Sequence, residues 1–144
     1  MALQVLVAEN CPVVQRSIRE LLESADIPSP LEAADGIDAV RMAVQMHPDV
    51  AILDYSMPGM NGIDATRLIR LQCPDMPIVL LTTVAEEYLI AAALTAGVRA
   101  YVLKRDAGDD LIRAIDAVRR GATYLSPRAA RVLCERYLQA PERR

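Results

Sequence analysis

The chain has 144 residues, about the length of one domain, and 53% of them are hydrophobic although only 3% are aromatic. One well-packed core of aliphatic side chains is expected, which suits a fold in which strands alternate with helices. The net charge of −3 excludes the broad positive field that holds a nucleic acid or an anionic membrane, so this chain alone should not bind DNA well.

The cysteines and the N-terminus indicate the compartment. Cys11, Cys73 and Cys134 are far apart and show neither a C-x-x-C pair nor a zinc-like spacing, so reduced thiols are expected. Met1 to Ala8 lacks the basic start and the long apolar stretch of a signal peptide. No run approaches the ~18 apolar residues that span a bilayer. These observations predict a cytoplasmic protein that does not contact a membrane.

Short apolar strands and amphipathic helices alternate five times along the chain. The predicted strands are Gln4 to Ala8, Leu31 to Ala34, Val50 to Leu53, Ile78 to Leu81 and Ala100 to Leu103. The helices are marked by Val14, Ile18, Leu21 and Leu22, then by Ile37, Val40 and Val44, then by Ala65, Leu68 and Ile69, then by the segment Glu86 to Ala96, and last by Leu111, Ile112, Ile115 and Val118. Because parallel strands need right-handed crossovers, the pattern predicts a doubly wound α/β sheet with helices on both faces.

Gly121 is the predicted C-cap of the fifth helix. The segment that follows this helix is richer in Arg than the rest of the chain. A sixth helix is predicted from Pro127 to about Gln139. Residues 128–144 contain five Arg and two Glu, a local charge of +3. We therefore predict a domain of residues 1–122, followed by a linker and C-terminal helix, residues 123–144, that leads toward an output domain.

Polar side chains stand where the predicted strands end, and they are Glu9, Asn10, Asp54, Thr82 and Lys104. Ligands of doubly wound sheets bind beyond this edge. Carboxylate and amide oxygens suit Mg²⁺, whereas an ammonium and a hydroxyl suit phosphoryl oxygens. Each residue alone is better explained as a helix cap, a solvated lysine or an ordinary strand threonine. Their coincidence at one edge instead predicts phosphoryl transfer to a carboxylate.

The segment Leu53 to Gly62, LDYSMPGMNG, resembles the phosphoacceptor loop of the response-regulator receiver domains of two-component signalling. Thr82, Tyr101 and Lys104 match the hydroxyl, switch aromatic and lysine of that family, and the resemblance covers about Leu3 to Gly121. Three segments, Leu81 to Thr83, Tyr101 to Lys104 and Gly121 to Pro127, are similar to the NarL/FixJ group, in which a LuxR-type helix-turn-helix follows.

The resemblance implies a flavodoxin-like fold with five parallel strands in the order 2-1-3-4-5, five helices and the C-terminal linker helix. It also implies that Asp54 accepts a phosphoryl group from a sensor histidine kinase, with Thr82 and Lys104 holding that group. The implied Mg²⁺ ligands are Glu9, Asn10, Asp54 and the main-chain carbonyl of Ser56. Tyr101 and Thr82 would form the switch. Such a protein is a regulator and not an enzyme, it pairs with a second copy, and it binds DNA only through the output domain.

One departure from the family leaves an alternative open. The family has two adjacent acids after the first strand, and this chain has Glu9-Asn10. An amide keeps an oxygen donor but removes one negative charge, so Mg²⁺ should bind more weakly. The alternative is a degenerate receiver that serves as a phosphorylation-independent interaction or dimerisation module.

Two further classes of protein are disfavoured. A dehalogenase-like phosphatase also uses a strand-end Asp nucleophile, but its second Asp is replaced here by Ser56. A dinucleotide-binding protein is disfavoured because no G-x-G-x-x-G follows the first strand.

Overall fold

The computed structural model describes residues 3–139, which form one parallel sheet covered by helices on both faces. The sheet order is β2-β1-β3-β4-β5-β6. The strands are β1 Val5–Ala8, β2 Leu31–Ala33, β3 Val50–Asp54, β4 Ile78–Thr82, β5 Ala100–Leu103 and β6 Tyr124–Leu125. The predicted doubly wound fold and the order of the first five strands are confirmed, and the sheet has one strand more than predicted.

Six α-helices connect and follow the strands. They are α1 Pro12–Ser24, α2 Gly36–Met46, α3 Gly62–Gln72, α4 Glu87–Ala96, α5 Ala107–Arg119 and α6 Pro127–Gln139, with a 3₁₀ turn at Lys104–Asp106 before α5. Local capping explains two of the starts: Asp35 accepts a hydrogen bond from the Asp38 N–H (2.7 Å) and Asn61 accepts one from the Asp64 N–H (2.8 Å). The predicted C-terminal helix is present, and it begins at Pro127.

The strands are buried on both faces, which divides the core into two layers. In β1, Leu6 and Ala8 face the layer covered by α2, α3, α4 and α6, whereas Val5 and Val7 face the layer covered by α1 and α5. All four residues are at most 1% exposed. The near-continuous apolar strands in the sequence therefore reflect burial from two sides.

Two predicted helix faces are wrong in part. Ile37 is 62% exposed and Leu68 is 41% exposed, although their spacing predicts that each lies on the apolar face of its helix. Helix α2 instead buries Ala39 and Ala43. The start of α2 packs closely on the loop before α3, since a Cβ on Gly36 would lie 2.4 Å from the Met60 carbonyl oxygen. Small residues, and not the larger aliphatic ones, thus form this contact.

The segment after α5 is integrated into the sheet. Helix α5 ends one residue earlier than predicted, with Arg120 as its C-cap and Gly121 following at φ +81°. Strand β6 then pairs with β5, since the Tyr124 N–H donates to the Arg99 carbonyl (3.0 Å) and the Ser126 N–H to the Tyr101 carbonyl (2.9 Å). Among residues 3–139, no helix combines the length and the hydropathy required to cross a membrane.

Candidate functional site

The strand register brings the ends of β1, β3, β4 and β5 to one edge of the sheet. Ala8 is the parallel partner of Leu53, Asp54 of Leu81, and Thr82 of Leu103. The residues that end or follow these strands therefore meet at this edge, as the sequence pattern predicts for Glu9, Asp54, Thr82 and Lys104.

Lys104 lies between two buried carboxylates. Its Nζ is 2.9 Å from Asp54 Oδ2 and 3.1 Å from Glu9 Oε1. Glu9 and Asp54 are each 1% exposed, whereas the lysine side chain is 22% exposed. Two carboxylates thus share one cation, and the pocket keeps a formal charge of −1 beside the sheet edge.

Burial and ionic contacts shift two pKa values in the pocket. Loss of water raises the pKa of Glu9, and the neighbouring Asp54 raises it further, while the Cys11 N–H and Lys104 oppose the shift. Burial on its own lowers the pKa of Lys104, but attraction to Asp54 and Glu9 outweighs burial, so the net pKa is raised. Lys104 therefore stays cationic at neutral pH.

The backbone after β3 fixes the Asp54 carboxylate. The Ser56 N–H donates to Asp54 Oδ1 (3.1 Å), and the Tyr55 N–H donates to the Leu81 carbonyl (2.8 Å). Gly62 begins α3 and donates its N–H to the Tyr55 carbonyl (2.9 Å). A Cβ at Gly62 would lie 2.6 Å from the Asp54 carbonyl oxygen. The loop therefore holds one carboxylate oxygen on a backbone amide and the other on Lys104.

Thr82 and Tyr101 are connected through one residue of the β4–α4 loop. The Val84 N–H donates to Thr82 Oγ1 (3.2 Å), and the Tyr101 hydroxyl donates to the Val84 carbonyl. Tyr101 is fully buried and points inward, and Thr82 is 2% exposed. Burial raises the pKa of Tyr101, and the charge of Glu86 raises it further. The hydroxyl of Thr82 and the position of the aromatic ring are thus linked.

The donor set fits a divalent cation. Apart from its ion pair with Lys104, the buried Glu9 Oε1 accepts no hydrogen bond from any residue in the described range, so a cation contact is its available compensation. Asn10 follows Glu9 in the chain and is exposed, and its role as a Mg²⁺ ligand stays a prediction, as does that of the Ser56 carbonyl. Within residues 3–139 no three His, Cys, Asp or Glu side chains are grouped around a metal position. The two buried carboxylates, Glu9 and Asp54, agree with the preference of Mg²⁺ for a few acids completed by water.

Two buried polar residues behind Lys104 had no role in the sequence analysis. Ser126 is fully buried, and its Oγ accepts the Leu103 N–H (3.0 Å) and donates to Asp110 Oδ2 (3.1 Å). Asp110 Oδ1 accepts from the Tyr124 hydroxyl (2.8 Å). Ser126 directly before Pro127 is a helix N-terminus signature, but nothing in the sequence indicates that its hydroxyl reaches β5.

The family model described as "Response regulator receiver domain" matches residues 5–116. The chain belongs to the response-regulator receiver family. This finding confirms the resemblance stated from the acceptor loop, and the matched range contains every strand-end residue discussed above. The chain is therefore the receiver domain of a two-component response regulator.

Comparison with individual relatives shows to which subgroup of the receiver family the chain belongs. The oxygen regulatory protein NreC of Staphylococcus carnosus is 33% identical over 138 residues, which cover 94% of this receiver and 64% of NreC. A LuxR-family response regulator from Aurantimonas sp. SI85-9A1 has a structure with TM-score 0.91 and 28% identity, covering 96% of this receiver and 100% of that chain. These matches confirm the NarL/LuxR-type group, and the names of the relatives describe regulators and not enzymes.

A third comparison concerns a related receiver in a phosphoryl-like state. The isolated receiver domain of RcsB from Salmonella enterica serovar Typhimurium, in the presence of the phosphomimetic BeF₃⁻, has TM-score 0.82 and 26% identity, covering 92% of this receiver and 99% of that chain. Another structure contains RcsB dimers bound to DNA. The receiver spans 58%, 64% and 63% of the length of three curated relatives, YdfI, NreC and YxjL.

Proposed function

We propose that this receiver is cytoplasmic, that it accepts a phosphoryl group on Asp54 from a phosphohistidine of a sensor histidine kinase, and that it thereby controls a transcriptional output domain. The observation that carries the proposal is the contact of Lys104 Nζ with both Asp54 Oδ2 (2.9 Å) and Glu9 Oε1 (3.1 Å) at the strand edge. Asp54, Glu9 and Lys104 are the groups that the transfer needs, and they are assembled in one pocket.

In the transfer, a carboxylate oxygen of Asp54 attacks phosphorus, the P–N bond of the donor imidazole breaks, and an acyl phosphate forms. The Ser56 N–H and Lys104 hold the attacking carboxylate in one orientation before the reaction. Lys104 then neutralises the phosphoryl oxygens, and the Thr82 hydroxyl donates to one of them. Each of these groups is supplied by a strand end or by the backbone immediately after it.

Glu9, Asn10, Asp54 and the Ser56 carbonyl are the residues that would hold Mg²⁺. When bound, the ion supplies positive charge to the transferring phosphoryl oxygens. In this receiver Lys104 already compensates one of the two buried carboxylates. The remaining negative charge is smaller than in a pocket with a third acid at position 10, so the affinity for Mg²⁺ is correspondingly modest.

The conformational change that signals phosphorylation begins at Thr82. When the Thr82 hydroxyl turns toward a phosphoryl group, the Val84 N–H loses its hydrogen-bond acceptor. The β4–α4 loop, whose Val84 carbonyl accepts a hydrogen bond from the Tyr101 hydroxyl, is then free to leave its present position. The structure has Tyr101 inward and buried.

The proposal extends to a homodimer and to DNA binding by the output domain, as RcsB dimers bind DNA. The degenerate alternative has no support from the comparisons, and the assembled pocket gives no reason to prefer it.

A mass measurement tests the proposal. Incubation with acetyl phosphate and Mg²⁺ should add one phosphoryl group, and Asp54→Asn should abolish the addition because the amide is not a nucleophile. Asp64→Asn, an exposed acid on α3, is the matched control and should be modified like the original chain. The proposal is wrong if no phosphoryl group is added at any Mg²⁺ concentration.

Asn10→Asp tests the metal site. Restoring a carboxylate beside Glu9 increases the attraction for a divalent cation, and we expect Mg²⁺ affinity to rise by about tenfold or more. The measurement is the Mg²⁺ concentration at half-maximal phosphorylation, with Asn61→Asp at the α3 N-cap as control. An unchanged Mg²⁺ requirement would show that residue 10 does not contribute to the ion site.

A further inference from the structure

A buried hydrogen-bond network lies directly behind Lys104, on the side away from Asp54. Its centre is the Ser126 hydroxyl, which accepts the Leu103 N–H and donates to Asp110. Leu103 is the last residue of β5 and the neighbour of Lys104 in the chain. The backbone from which the lysine side chain extends is therefore fixed by a residue outside the acceptor pocket.

The network supplies a hydrogen bond at the point where strand β6 has ended. Strand β6 ends at Leu125, so no β6 carbonyl is assigned to the Leu103 N–H, and the Ser126 hydroxyl supplies the acceptor instead. Asp110 is 4% exposed and Ser126 fully buried. Burying a carboxylate is costly unless it is hydrogen-bonded, and Asp110 receives its bonds from Ser126 and Tyr124. Both donors belong to the segment between α5 and α6.

The same segment leads into α6, which packs against α4. Ser126 is the residue before α6, and its carbonyl accepts the Ala130 N–H (2.9 Å). Ala129 is fully buried, and Arg136 pairs with Glu87 in the first turn of α4 (2.9 Å). Helix α4 follows the loop that contains Val84, the residue bonded to Thr82 and Tyr101. Helix α6 is thus connected to the strand end that carries Lys104 and to the loop that follows Thr82.

We propose that Ser126 and Asp110 are positioning residues for Lys104, and that through them occupation of the acceptor pocket and docking of α6 are energetically coupled. The proposal rests on the function proposed for Asp54. Neither residue touches the phosphoryl group. They act by holding the main chain at Leu103, so that the ammonium reaches Asp54 and Glu9 together. A displacement of this backbone lengthens the contact of Nζ with at least one of the two carboxylates, now 2.9 Å from Asp54 and 3.1 Å from Glu9.

The first test compares phosphorylation rates of variants that are fully folded under the assay conditions. Ser126→Ala removes the acceptor of the Leu103 N–H, and we expect phosphorylation from acetyl phosphate to slow by about tenfold. Ser126→Thr keeps the hydroxyl and should restore most of the rate. Asp110→Asn keeps the shape but weakens the acceptor, so an intermediate rate is expected. It also serves as the second variant if Ser126→Ala does not fold.

The matched control separates positioning from stability. Val118→Ala in α5 is a buried truncation far along the helix from Lys104. It should lower the denaturation midpoint but leave the phosphorylation rate within about twofold of the original. Equal rates for Ser126→Ala and the original chain would overturn the positioning role. Equal slowing by Val118→Ala would also overturn it, because the effect would then follow stability alone.

The second test measures the coupling from the opposite direction, since coupling between two sites is reciprocal. Beryllium fluoride with Mg²⁺ should slow hydrogen exchange of the Leu103 amide and of the α6 amides in the original chain, by a factor of about 5 to 150. The slowing should disappear in Ser126→Ala. Binding of the analogue without any change in exchange overturns the inference and leaves the proposed function intact. An original chain that neither binds the analogue nor is phosphorylated overturns both.

Discussion

At the scale of single residues, Tyr101 shows how one side chain can report on the proposed switch. It is fully buried in a chain that has five Tyr and no Trp, and its hydroxyl donates to Val84. Burial, followed by the charge of Glu86, raises the pKa of this phenol. The folded protein therefore keeps Tyr101 protonated at a pH at which the unfolded chain ionises it, with a pKa of about 10.

This difference predicts a loss of stability at alkaline pH. The contribution of Tyr101 is fully present below about pH 10 and falls as the pH rises toward the higher pKa of the folded state. The absorbance of tyrosinate near 295 nm measures the ionisation of the phenol that causes this loss. At about pH 11.5 the folded original chain and Tyr101→Phe should give the same tyrosinate signal, whereas in denaturant they should differ by nearly one phenol, because an unfolded phenol with a pKa of about 10 is then almost fully ionised. A difference of one phenol in the folded state would mean that Tyr101 is accessible to water.

At the scale of elements, the start of α3 decides where the Asp54 carbonyl lies. Gly62 is the first residue of α3, and a Cβ there would lie 2.6 Å from the Asp54 carbonyl oxygen and 2.7 Å from Leu80 Cδ1. A real Cβ requires the helix to move away from β3 or the acceptor loop to shift. The start of α3 therefore helps to position Asp54 as well as to pack the helix on the sheet.

Gly62→Ala should consequently lower the free energy of unfolding by about 1–3 kcal/mol. It should also reduce phosphorylation, since the loop that orients Asp54 is displaced. Gly108→Ala is the matched control: Gly108 lies in α5, and a Cβ added there would meet no atom within 4 Å, so the change should be neutral or stabilising. Chemical denaturation of both variants is the measurement, and equal stabilities would contradict the close approach at Gly62.

How much of this could be predicted from sequence depends on the element. The first five strands and the residues that end them could be predicted because burial on two faces leaves continuous apolar runs. The order of the strands, in contrast, is implied only by the resemblance of the acceptor loop to the receiver family. Strand β6 was not, since two residues show no alternation. The buried side of α2 could not be predicted from hydrophobicity alone, because the helix buries the small Ala39 and Ala43 and exposes the larger Ile37. The Asp110–Ser126 contact joins residues 16 positions apart through tertiary packing alone.

At the scale of the whole molecule, the domain boundary predicted at residue 122 stays a prediction that a truncation can test. A chain ending at Ala122 lacks β6 and α6, and with them the partners of Asp110 and of the Leu103 N–H. We expect it to be about 2–4 kcal/mol less stable than a chain ending at Gln139. Urea denaturation of the two chains measures the difference. Equal stability would show that the sheet and its helices fold without the last segment.

The sheet ends on both sides in very short strands, three residues in β2 and two in β6. Unpaired backbone along a sheet edge is a template on which another chain can add a strand, and short edges offer few such groups. In the homodimer that we propose, the two copies should therefore meet through helix side chains and not by extending one continuous sheet. An association of that kind buries side chains without joining backbones, so it remains reversible.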